Sequence, residues 1–228
     1  MTMPADSQVD PDAEPEAQSS LRRVLLSIIA IAVLVVGVSA GFLWGHDSVS
    51  KSSGFPALGS VDVGFAEDMS VHHQQAIDMA GYARDNSTNP AIVTVAFDIE
   101  TSQSVEMGTM LGWLQTWGAP RVDPNPMSWM AGHAHLTANG LMPGMATPAQ
   151  ERKLLSSHGD ALNILFLQLM IHHHQGGVEM AQYAYDHAKT PYEKILAGNM
   201  HAAQSNEILQ MEQMLRQLGG TELPPPTD

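Results

Sequence analysis

Four stretches of this chain place apolar residues three and four positions apart, the spacing of a helix that buries one face. Over 62–85 the stripe is Phe65, Met69, His72, Ala76, Met79 and Ala83. Over 90–117 it is Ile99, Gln103, Glu106, Met110, Trp113 and Trp117. Phe166, Met170, His173, Gly177, Met180 and Ala184 align over 160–187, and Met200, Gln204, Glu207, Met211, Met214 and Leu218 over 190–218. The breaks carry helix punctuation. Asn89 stands before Pro90 as an N-cap before a first-turn proline, and Gly118-Ala119-Pro120 stops the second helix. Thr190-Pro191-Tyr192-Glu193 reads as a capping box, and Gly219-Gly220 ends the last helix. The connector 119–159 is rich in turn formers, with a short helix expected from Thr147. The pattern predicts an all-α fold of two helical hairpins joined by a crossover, which is a four-helix bundle.

The two hairpins are copies. A shift of 101 positions lays 65–118 over 166–219 without a gap, and 18 of the 54 positions are identical. They include Met69/Met170, His72/His173, His73/His174, Met79/Met180, Gln103/Gln204, Glu106/Glu207 and Met110/Met211. A duplicated hairpin predicts pseudo-twofold symmetry.

Ahead of the bundle the pattern changes. Residues 1–20 carry Asp6, Asp10, Asp12, Glu14 and Glu16 with no basic side chain and little to bury, a composition expected to be disordered. Arg22 and Arg23 follow, then an uncharged run over 24–44, long enough to cross a bilayer core of about 30 Å. The arginines place 1–20 in the cytoplasm and the bundle outside. A cleaved signal peptide ending near Ala40 is the rival reading, and Arg22-Arg23 loosely resembles a twin-arginine signal. The apolar run continues past that point through Trp44, which favours a transmembrane anchor over 21–45. Residues 46–60 are a Ser/Gly-rich linker, 61–219 the bundle and 220–228 a tail.

Composition narrows the chemistry. The formal charge of −14 argues against nucleic acid as a partner. With no cysteine there is no disulfide, thiolate ligand, lipoprotein anchor or Cys nucleophile. No nucleophile motif or phosphate loop is present, so no catalytic role is expected. Methionine is abundant at 15 copies, 13 of them after residue 45 together with all 11 histidines. Imidazole nitrogen with thioether sulfur suits copper, Cu(I) above all. Helical spacing places His72 on the inward stripe between Met69 and Met79, with His73 at the stripe's edge. If the hairpin closes normally, His72, Met79, Glu106 and Met110 share one layer, and His173, Met180, Glu207 and Met211 another. The candidate metal residues are therefore His72, His73, Met79, Glu106, Met110, His173, His174, Met180, Glu207 and Met211. The imidazoles would ligate, the thioethers complete the set, and the carboxylates orient the rings. Met127, Met130, His133, His135, Met142 and Met145 in the connector are a further soft-ligand group. The plainer alternative is that the methionines are core filling and that His72–Glu106 is a buried polar pair fixing register.

The sequences MSVHHQQAIDMA (69–80), MIHHHQGGVEMA (170–181), QSVEMGTMLGWL (103–114), QSNEILQMEQML (204–215) and MPGMAT (142–147) resemble the family catalogued as domain of unknown function 305 over about 60–219. The resemblance implies a ferritin-like bundle that is secreted or membrane-tethered, with copper binding and resistance in some relatives. Gln75 and Gln175 stand near positions where many relatives carry Glu. The expected partners are a metal ion, the membrane through the N-terminal helix, and a membrane complex or metallochaperone. Two other classes compete. A structural outer-face subunit of a membrane complex needs no metal. A ferritin-like di-iron oxidase would need about four Glu and two Glu-x-x-His motifs, which this chain lacks.

Overall fold

Helix α1 (Val61–Asn86) turns back through three residues into α2 (Pro90–Trp117); a connector with the short α3 (Pro148–Leu155) leads to α4 (Gly159–His187) and α5 (Pro191–Gln217). The computed structural model describes residues 54–132 and 140–226 and helical positions at 33, 35–37 and 39. Among the described residues there is no strand. The chain divides into Met1–Phe55 and Pro56–Asp228, and the helices above form the second unit. The expected anchor over 24–44 lies outside the described residues except at those five helical positions. Among the described residues no helix is long and apolar enough to cross a membrane.

Local sequence accounts for the helix ends. Ser60 accepts from the Val63 N–H, Asn89 from the Ala91 N–H with Pro90 behind it, and Gly118 closes α2 at φ 67°. Thr147 and Gln150 form the capping box of α3. The box expected at Thr190–Glu193 does not form: the Thr190 side chain caps nothing. The loop before α5 is instead capped from the other hairpin. Asp62, in the first turn of α1, accepts from the N–H groups of Lys189 and Thr190, at 3.1 and 2.6 Å to its Oδ1. Its counterpart by the repeat is Asn163, which likewise reaches the opposite hairpin loop, accepting from the Ser87 hydroxyl at 2.7 Å.

Glu193 is fully buried beside Asp62, which explains why it cannot serve as a capping partner. Burial, and then the Asp62 charge, push its carboxyl up to about 9. Burial alone would raise Asp62 too, but the hydrogen bonds from Thr190 and Lys189 outweigh it and hold that carboxyl below its usual value. At neutral pH Glu193 is thus protonated and Asp62 ionised. A carboxyl near 4.5 in the unfolded chain and about 9 in the folded one favours folding fully below 4.5, and loses that contribution as pH climbs to about 9. Glu193→Gln keeps a neutral group of the same size and removes this dependence. Urea unfolding should show the variant gaining on the parent between pH 5 and 9, by up to about 1.4 kcal/mol per unit.

The hairpins meet chiefly along α1 and α4. Their core is divided. One apolar cluster holds Ala76, Met79, Ala83, Ile92, Ile99, Phe166, Met170, Met211 and Leu215; the other holds Phe65, Met69, Met110, Leu114, Met180, Ala184, Ala197 and Met200, closed by Met127, Trp129, Met130 and Met142 from the connector. On all four long helices the buried residues between the two clusters are polar, apart from Gly176 and Gly177 on α4.

Candidate metal site

The layer between the clusters is made of His72 and His73 on α1, Gln103 on α2, His173 and His174 on α4, and Gln204 on α5. All six are at most 3% exposed. Each hairpin supplies His-His and Gln at equivalent positions of the repeat, so the layer straddles the pseudo-twofold relation between them. The rings of His72 and His173 touch across the hairpin interface, with centroids 3.8 Å apart and planes at 39°.

Carboxylates fix the outer imidazoles. His73 donates from Nε2 to Glu106 at 2.8 Å, and His174 from Nε2 to Glu207, also at 2.8 Å. The carboxylates themselves keep 18% and 22% exposure. His72 donates from Nε2 to the Pro143 carbonyl at 3.0 Å. In these three rings Nε2 carries the donated proton, and none of the three Nδ1 atoms has a partner. His173 has no partner at either nitrogen, and both amide atoms of Gln103 and of Gln204 are also unpartnered. Burial takes His72 down to about 3, helped by the neighbouring His73 and His174 and only partly opposed by the hydrogen bond to the Pro143 carbonyl. Burial and then the imidazoles of His72, His174 and His73 hold His173 well below its ordinary value. These two rings are therefore neutral at physiological pH.

The connector seals the layer. Gln75 grips its backbone twice, donating to the Ala146 carbonyl at 2.9 Å and accepting from the Ala146 N–H at 2.7 Å. His172 donates from Nδ1 to the Gly144 carbonyl at 3.1 Å. Three glycines make the fit possible. A Cβ on Gly176 would run into the Pro143 carbonyl, and one on Gly144, at φ +79°, would lie 2.5 Å from the His172 carbonyl. A Cβ on Gly177 would lie 2.5 Å from Gln204 Oε1 and 3.4 Å from His72 Cε1.

The placement corrects part of the expected geometry. Glu106 pairs with His73, not His72, and His73 is as buried as its neighbour rather than lying at an edge. Met79 and Met110 do not share a layer. The register set by His73–Glu106 puts Met69 opposite Met110, and these two pack together with Met180. The equivalent trio is Met170, Met211 and Met79. Each trio takes two methionines from one hairpin and one from the other. Gln103, Gln204 and the 143–146 backbone belong to the site, and the identity of the two glutamines across the repeat was the signal for them. His133 and His135 lie outside the described residues.

Buried Nδ1 atoms without partners, on rings held from behind at Nε2 by a carboxylate or a backbone carbonyl, fit the way imidazole is presented to a metal. Leaving such groups unmatched costs about 1–3 kcal/mol each. Among the described residues no three His, Asp or Glu side chains gather closely enough to hold an ion. The layer therefore does not offer the carboxylate-rich set of a di-iron site. It suits an ion content with few donors or with sulfur.

Comparison with known proteins gives concordant results. The family described as Domain of unknown function (DUF305) matches residues 62–215. A crystal structure of a DUF305 protein from Streptomyces coelicolor is 40% identical, covers 74% of this chain and 99% of its own, and superposes with a TM-score of 0.68. A DUF305 fragment from Deinococcus radiodurans is 31% identical over 69% of this chain and 96% of its own, with a TM-score of 0.58. CopM in its Cu(II)-bound form is 30% identical over 68% of this chain and 96% of its own, with a TM-score of 0.55. No curated protein matches.

Proposed function

The chain belongs to the DUF305 family, and from that premise we propose that it binds copper outside the cytoplasmic membrane, for buffering, delivery or tolerance. The observation that carries this reading is the buried layer of four imidazoles whose Nδ1 atoms have no partner. The similarity to CopM, solved in Cu(II)-bound and Cu(I)-bound forms, supports it. His72, His73, His173 and His174 supply nitrogen. Met110 and Met180 on one side of the layer, and Met79 and Met211 on the other, supply thioether sulfur. Glu106 and Glu207 hold the rings of His73 and His174 in the tautomer that leaves Nδ1 free. Such a set of neutral donors matches a soft cation and discriminates against Mg and Ca, which take oxygen. The arginines before the 24–44 run orient the bundle to the outside.

The test is Cu(I) affinity by competition against a strong chelator, in the parent and in the His72→Gln/His173→Gln double variant. The parent should bind with a dissociation constant below about 1 nM, roughly −12 kcal/mol. The double variant should lose that binding while circular dichroism shows the same helix content. Absence of binding by the parent, or unchanged affinity in the double variant, would overturn the assignment.

A further inference from the structure

The end of the bundle where α1 starts carries an apolar and basic surface that the histidine layer does not use. We propose that this end rests on a lipid bilayer with anionic headgroups, with Tyr185, Tyr192 and Ile195 in the interface and Lys189 and Lys194 among the headgroups. This contact goes beyond the copper reading and does not depend on it.

Position within the fold is the first support. Asp62, in the first turn of α1, accepts from the backbone of Lys189 and Thr190, so the start of α1 and the α4–α5 turn lie at one end of the bundle. Asn163, in the first turn of α4, bonds Ser87, so the α1–α2 turn lies at the other. The chain therefore enters the bundle beside the α4–α5 turn, and in sequence the uncharged run over 24–44 precedes that entry.

The side chains at this turn suit a bilayer surface. Tyr185, Tyr192 and Ile195 are 49%, 73% and 60% exposed. Tyr192 and Ile195 are three apart on α5 and share a face. The Tyr185 ring lies against the same stretch of helix at Gly198, where a Cβ would stand 3.0 Å from its Cδ2. Tyrosine, with an apolar body and a polar tip, is favoured where hydrocarbon meets headgroups. Lys189 is exposed, and Lys194 folds over the Tyr185 and Asp186 carbonyls, which keeps its charge at the turn. The acids over 181–197 are Asp186 and Glu193, and Glu193 is buried and protonated at neutral pH. Two lysines thus face one exposed carboxylate, in a chain of formal charge −14, and a local positive charge is drawn to anionic lipid.

The duplication supplies an internal comparison. At the α1–α2 turn, the positions equivalent to Tyr185, Tyr192 and Ile195 hold Arg84, Ala91 and Thr94, and those of Lys189 and Lys194 hold Thr88 and Val93. Two copies of one hairpin have therefore diverged at their turns, and the aromatic and basic version is the one beside the chain's entry.

The chain has no cysteine, so a single nitroxide label can be placed at will. The full chain, labelled at Tyr192→Cys, Ile195→Cys or Leu209→Cys, is reconstituted into phosphatidylcholine vesicles with and without phosphatidylglycerol. Leu209 is the control: it is 63% exposed and lies about 26 Å further along α5 than Tyr192. With phosphatidylglycerol, collision of the 192 and 195 labels with a water-soluble nickel chelate should fall by about fivefold and collision with oxygen should rise, while the 209 label stays unchanged. Lys189→Glu should reverse the effect without changing helix content. Equal nickel access at all three positions would overturn the contact, as would failure of the chain to float with the vesicles. Shielding that is the same without phosphatidylglycerol, or that survives Lys189→Glu, would overturn the role given to the lysines. Shielding that appears in detergent and grows with protein concentration would assign the surface to a second copy of the chain instead. Cu(I) affinity should be the same in the labelled and parent chains, so failure of either reading leaves the other standing.

Discussion

Gly176→Ala should cost about 3 kcal/mol in urea unfolding, a loss seen as a lower midpoint at unchanged slope. Alanine is ordinarily the better helix residue by roughly 1 kcal/mol, so the sign itself is informative. The new methyl group would meet the Pro143 carbonyl and, at 2.9 Å, the Gly144 backbone nitrogen. Both obstacles are main chain and cannot swing aside. The connector is also held by Gln75 at Ala146 and by His172 at Gly144, so lifting it would break further hydrogen bonds. It would strip His72 of its only acceptor as well. Gly108→Ala is the matching control: Gly108 lies exposed in α2 with nothing near the added atom, and that change should be neutral or stabilising by up to about 1 kcal/mol.

Phe166→Ala should cost about 3–5 kcal/mol, and Phe65→Ala about the same. Both rings are fully buried, and each sits in a cluster whose other large members cannot collapse into the space left. The pair tests the division of the core. Phe65 and Phe166 are equivalent in the repeat but lie in different clusters, on opposite sides of the histidine layer. Their unfolding free energies should add to within about 0.5 kcal/mol in the double variant, as expected of sites without shared partners. A coupling above about 1 kcal/mol would show that the polar layer transmits packing from one cluster to the other.

The hairpins, their ends and their duplication could be read from the sequence because each rests on local signals: three–four spacing, Asn89-Pro90, Thr147–Gln150, and a shift of 101 that needs no gap. What went astray depended on contacts between distant segments. A single-face stripe put His73 at an edge because it assumes one neighbour per helix. Helix α1 instead packs against α2, α4 and the connector, and is buried continuously from Asp62 to Ser70. The layer of His72 with Met79 and Met110 failed on register: once His73 faces Glu106, Met79 lies on one side of that level and Met110 on the other, almost three turns apart. Thr190–Glu193 had the letters of a capping box, but Asp62 on the far hairpin takes the backbone groups, and a buried Glu193 is left protonated. Nothing in the spacing of MPGMAT showed that its Pro143 carbonyl would reach His72, since that contact depends on two glycines, Gly144 and Gly176, that also suit ordinary turns or caps.

The interlocked loop of Asp62 with Thr190 has a consequence for how the molecule is assembled. Each hairpin closes through a three-residue turn, whereas the bond that joins the hairpins at Thr190 links residues 128 apart and the one that fastens the connector at Ala146 links residues 71 apart. Closing the longer loops costs more chain entropy and is rewarded only once both partners exist. The hairpins are therefore expected to zip up separately and to dock late. Until docking, His72 has neither His173 nor the Pro143 carbonyl beside it. The order of synthesis sharpens this: the first hairpin leaves the ribosome with its half of the imidazoles uncovered, and the protein completes its histidine layer only in the last step of its own folding.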